Sequence, residues 1–172
     1  IDRIGIRRVP AGGTNRSVPI GTSGSSYSPL IITGQAGHTT DDLSVGLAPN
    51  VYLNSFSGDR YTSDVVDRTW TIDEGNPGGS LLTLTFGWTP QEETPGFDRV
   101  RSYVIRHSGG NWISGPVSAS CNVIPYTQMV TDVSTLGRFA VRSESLVVRT
   151  NGGNVYPNPA RNEIQVVVNM LE

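Results

Sequence analysis

Two histidines, His38 and His107, are the side chains of this sequence best suited to move a proton near neutral pH. Neither sits in a motif that would use one. His38 stands in Gly37-His38-Thr39-Thr40-Asp41-Asp42, and His107 follows a strand-like run just before Ser108-Gly109-Gly110. A hydrolytic triad needs a serine or cysteine within hydrogen-bond reach of such a base, and a Ser-rich chain offers that set on paper anywhere. No Gly-x-Ser-x-Gly elbow occurs, so no catalytic residue is assigned and the chain reads as non-enzymatic. Calcium asks for six to eight oxygens, which loops can supply. Asp41, Asp42, Asp59 and Asp64 are the weak candidates, although no Asp-x-Asp-x-Asp-Gly loop is present and solvated turns are the simpler reading. No other metal or cofactor is expected.

The remaining chemistry is aromatic. Three tryptophans and six tyrosines are enough to build a sugar-stacking platform. Trp70 is in register with Ile72, and Trp88 with Leu82, Leu84 and Phe86, which assigns both indoles to a core. Tyr52, Phe56 and Tyr61 lie in an irregular segment, and Trp112 follows Gly-Gly-Asn. These four are the candidate ligand-binding aromatics.

Composition excludes several classes. The net charge is -2, so nothing points to nucleic acid or an anionic membrane. All 13 basic residues are arginine, which rules out a phosphate-loop or Schiff-base lysine. The lone Cys121 has no disulfide partner and no zinc-site companions, and is expected to be small filling, buried or half-buried. No stretch approaches the length of an apolar membrane span, so membrane insertion is not expected.

The elements that must position these residues are strands. Gly 20 and Pro 11 in 172 residues exceed the usual share, and no window repeats apolar positions at helical spacing. Strand signals recur at 4–9, 30–33, 43–47, 69–72, 81–88, 100–106, 111–113, 123–124, 129–130, 138–141 and 146–148. The runs 69–72 and 81–88, joined by Asp73-Glu74-Gly75-Asn76-Pro77-Gly78-Gly79-Ser80, read as a hairpin. The expectation is an all-β, antiparallel β-sandwich of jelly-roll or immunoglobulin-like type over residues 1–150. A linker and one further strand follow over 151–172.

The tail carries a resemblance. Asn154-Val155-Tyr156-Pro157-Asn158-Pro159-Ala160 is followed by the alternating run Ile164-Gln165-Val166-Val167-Val168. It resembles the opening of the C-terminal sorting domain of type IX secretion cargo, whose motif here is Tyr156, Pro157, Asn158, Pro159 and Ala160. Upstream, Arg7-Arg8-Val9-Pro10-Ala11-Gly12, Arg68-Thr69-Trp70-Thr71-Ile72, Leu84-Thr85-Phe86-Gly87-Trp88 and Leu136-Gly137-Arg138-Phe139-Ala140-Val141 are similar to the penultimate module of such proteins. The resemblance implies a structural or adhesive module of a larger protein, secreted or held on the bacterial cell surface. Its partners would be the export machinery, through a complete sorting domain, and a surface polysaccharide. The alternative it leaves is a carbohydrate-binding module attached to an upstream enzyme. The start at Ile1-Asp2-Arg3 and the single strand of sorting domain lead us to expect an excised piece.

Overall fold

The computed structural model describes the backbone of residues 2–10, 12–24 and 26–144, with side chains from residue 8 onward. The expected strand at 146–148 and the sorting motif at 156–160 lie outside the described residues. Ten strands are present among the described residues: β1 (Asp2–Val9), β2 (Asn15–Val18), β3 (Leu30–Gly34), β4 (Asp41–Pro49), β5 (Arg68–Glu74), β6 (Leu82–Trp88), β7 (Ser102–Ser108), β8 (Asn111–Ser114), β9 (Tyr126–Val133) and β10 (Gly137–Ser143). They form a six-stranded sheet in the order β1-β4-β5-β10-β7-β8 and a four-stranded sheet in the order β2-β3-β6-β9. Every neighbouring pair is antiparallel, and the two sheets pack as a β-sandwich.

Side-chain alternation explains the packing. In β6, Leu82, Leu84, Phe86 and Trp88 are fully buried while Thr83 and Thr85 are only half-buried. In β5, Trp70 and Ile72 point into the core from the opposite sheet. The Trp70 and Phe86 rings meet edge to face at 5.2 Å, and Phe86 lies 5.5 Å from Phe139 of β10. These contacts bridge the sheets, so the two tryptophans are core residues as the sequence register requires.

The expected hairpin is not one. β5 pairs with β4 and β10, whereas β6 pairs with β3 and β9, so the connection between them crosses from one sheet to the other. The reason is the apolar content of both strands. As hairpin partners, Trp70 and Phe86 would project from the same face of one sheet. In opposite sheets they face each other and each covers the other. The loop is held by neighbours from β4. Asp41 accepts from the Asn76 N–H at 3.0 Å, and the Gly75 N–H donates to the Asp42 carbonyl at 2.9 Å. Gly79 has φ +85, and a Cβ there would sit 2.8 Å from the Thr39 hydroxyl.

Two other expectations are corrected. Val123 and Ile124 are not in a strand but are exposed in the loop from β8 to β9, at 70% and 59%. Two apolar residues without alternation on either side carry no register, and the preceding Gly115-Pro116 turns the chain out of the sheet. Cys121, in the same loop, is exposed rather than buried. Its N–H donates to the Thr127 carbonyl at 3.0 Å, so backbone pairing rather than thiol packing sets its position.

One end of the sandwich is tied by charge. Glu92, in the short helical turn after β6, is buried and meets Arg68 at the start of β5 at 2.9 Å. Its Oε1 also accepts from the hydroxyls of Ser26 and Ser28, both at 2.7 Å, and its Oε2 accepts from the Thr89 N–H at 2.9 Å. Nearby, the Trp70 indole donates to the Ser28 carbonyl at 3.1 Å. The segments leading into β3 and out of β6 are thus joined to β5 of the other sheet.

Candidate functional site

The outward face of the six-stranded sheet gathers what the sequence scatters. Residues that alternate with core positions form a transverse row. Gly46 of β4 pairs with Thr71 of β5, Thr71 with Arg138 of β10, Arg138 with His107 of β7, and His107 with Trp112 of β8. Ser44 and Asp73 pair with each other one step further along. Strand periodicity sends Trp70 and Phe139 inward, so it must send Thr71 and Arg138 outward.

Half of this face is roofed. The segment 50–65 folds back over Tyr103, Ile105 and Ala140, placing Val51 and Val65 against them with Tyr61 and Trp112 at the margin. Asn50 and Ser55 take left-handed backbone conformations, φ 68 and 73, that let the segment double back in tight turns. The Trp112 indole N–H donates to the Tyr52 carbonyl at 2.8 Å, and the Thr69 hydroxyl to the Asn50 carbonyl at 2.8 Å. Arg138 lies 4.4 Å over the Phe56 ring and Arg142 5.0 Å over Tyr61, so each aromatic offers one face to a cation.

Where the roof ends, a cleft of about 320 Å³ opens with Phe56 as its lip. Ser44, Thr71, Asp73, His107 and Arg138 line it. Three polar atoms there are buried without a hydrogen-bond partner: Thr71 Oγ1, His107 Nε2 and Arg138 Nε. A buried polar atom left unsatisfied costs about 1–3 kcal/mol, and three of them belong to residues of this one wall. Burial of His107 is shared with Trp112, whose ring meets it edge to face at 5.2 Å.

The four candidate aromatics are therefore brought to one face, but not as a flat exposed platform. Tyr52, Phe56, Tyr61 and Trp112 are all half-buried, and Phe56 is the one of the four that lines the cleft. Thr71, Arg138, Ser44 and Asp73 were not singled out from sequence. The signal for them is the outward half of each alternating strand, but the register that aligns them across three strands is not written in any one strand.

His38 is far from this role. It is buried, its Nε2–H donates to the Val9 carbonyl at 3.3 Å, and its Nδ1 accepts from the Leu81 N–H at 3.3 Å. Both ring nitrogens are spent on backbone, so His38 is a spacer between sheets rather than a base.

The acidic candidates are dispersed, and among the described residues no three metal-ligating side chains converge. Asp64 accepts from the Ser63 hydroxyl, and Asp42 faces Arg8 at 4.0 Å. Asp59 contributes its carbonyl to a turn with Leu53. Asp41 is buried and caps the loop from β5 to β6, accepting from Asn76 N–H, Asn76 Nδ2 and Asp42 N–H at 3.0, 2.9 and 2.8 Å. The Asn76 N–H above all holds the Asp41 carboxyl below its ordinary value of 3.8. Its stabilising contribution is then complete above that value, and is lost as pH falls through the lower folded value. Asp41→Asn should make the melting temperature fall less steeply below pH 3.8 than in the parent, read by thermal denaturation across an acid series. Parallel curves would mean that Asp41 does not carry this linkage.

No protein-family model, curated protein or solved structure matches this chain.

Proposed function

We propose that this chain is a non-enzymatic structural and adhesive β-sandwich module of a larger secreted or surface-attached bacterial protein, standing next to its secretion signal. The observation that carries the adhesive part is the cleft on the outer face of the six-stranded sheet. It holds unpartnered polar atoms beside the Phe56 ring, while His38, one of the two candidate bases, is consumed by backbone bonds. The secretion part rests on the resemblance of the tail to a type IX sorting domain. Carbohydrate binding is the second reading, favoured by the convergence of Tyr52, Phe56, Tyr61 and Trp112 on that one face.

Export tests the first reading. Residues 1–150 fused to a complete sorting domain should be exported by a type IX-competent host. A passenger fused to residues 151–172 alone should stay inside, because the resemblance covers only the opening of a sorting domain. Retention of the first fusion, or export of the second, would count against this account of the tail.

A further inference from the structure

We infer that the cleft beneath Phe56 binds an acidic sugar residue, with the carboxylate on Arg138 and the ring hydroxyls on Thr71 and Ser44; this rests on the carbohydrate-contact reading above. The charge argument comes first. Arg68, Arg99 and Arg101 are paired with Glu92, Glu93 and Glu144. Among the described residues Arg138 makes no ion pair, its Nε has no hydrogen-bond partner, and its guanidinium stands over the Phe56 ring. A half-buried guanidinium with its Nε–H shielded from water is a donor without an acceptor. A carboxylate is the planar partner whose two oxygens fit it. Asp73, the acidic residue in the lining, has a partner already.

The rest of the cleft suits a sugar better than a simple carboxylic acid. Thr71 Oγ1 and His107 Nε2 stand unpartnered on either side of Arg138 in the same transverse row, and Ser44 lies one step away. The Thr71 and Ser44 hydroxyls both give and accept hydrogen bonds, and His107 Nε2 does one or the other by tautomer, as vicinal hydroxyls require. Phe56 in the lining supplies apolar surface for the C–H face of a pyranose. A volume near the lower end of ordinary small-ligand sites, about 300–1,000 Å³, fits one ring held in the cleft, with the rest of a polymer running across the sheet face.

The test uses residues 1–172 titrated calorimetrically with oligogalacturonate and with its methyl ester, which keeps the sugar and removes the charge. Oligogalacturonate should bind, more weakly as salt is raised, and the ester should bind at least about tenfold less tightly. Arg138→Gln should cost about ten- to hundredfold in affinity, and Thr71→Val a smaller factor. Arg16→Gln, on exposed strand β2 of the other sheet, should change nothing. Amide and indole NMR shifts should move at Thr71, His107 and Trp112, which keeps the site testable if a variant folds poorly. Equal binding of acid and ester would overturn the charge assignment while leaving carbohydrate contact in place. Binding of neither would defeat both. Binding that survives Arg138→Gln with shifts elsewhere would move the site off this cleft.

Discussion

Glu92→Ala should lower the free energy of unfolding by about 3–5 kcal/mol, the usual cost of stripping one partner from a buried ion pair. The loss has three sources. Arg68 is left as a cation whose side chain is only 13% exposed. The Ser26 and Ser28 hydroxyls lose the acceptor they share, and the Thr89 N–H loses the carboxylate that caps its turn. The double change Arg68→Met with Glu92→Leu should recover much of the loss, because the desolvated charges leave together. Urea unfolding of the parent and the two variants decides the matter. A single-variant loss below about 1 kcal/mol would rank the pair with exposed salt bridges and remove it as the tie between the sheets.

The second large effect is expected at Trp88. Its side chain is fully buried, with the Phe97 and Tyr126 rings at 5.8 and 6.2 Å. Its indole N–H donates to Glu93 Oε1 at 2.8 Å, and Glu93 is gripped in turn by both Arg99 nitrogens at 2.7 and 2.8 Å. Trp88→Ala should therefore cost about 3–5 kcal/mol through the cavity it leaves, a large part of a typical domain's stability. Trp88→Phe should cost clearly less, since it keeps most of the apolar volume. Thermal unfolding followed by far-ultraviolet dichroism separates the two. Near-equal, small losses would mean that the core collapses around the vacancy.

The inward half of the fold could be read because burial repeats every second residue. Leu82, Leu84, Phe86 and Trp88 announce their own side of a strand, and the all-β class follows from many such runs without helical spacing. Partner choice could not be read the same way. Residues 73–80 look like a hairpin turn from composition, yet β5 and β6 belong to opposite sheets because Trp70 and Phe86 gain more from facing each other. Val123 and Ile124 misled for a related reason: two apolar residues are too few to define a face. On the outer face, the sequence points to Phe56 at the cleft and Trp112 beside it as rings in irregular or Gly-flanked segments. It could not point to Thr71 and Arg138, whose meaning comes from being side by side across strands 67 residues apart in the chain.

The place of β10 in the strand order has a consequence for the timing of folding. The last described strand to be synthesised is interior, lying between β5 and β7. Until residues 137–143 are available, β5 and β7 each present a bare edge of unpaired N–H and C=O groups, and the core lacks Phe139 and Val141. A nascent chain can therefore pair β4 with β5 and β7 with β8, but it cannot unite the six-stranded sheet. Closure waits for the C-terminal segment, and the pairings it completes span long stretches of sequence, which makes the final step slow. The six-stranded sheet is therefore the part of this module that locks last, once residues 137–143 are in place.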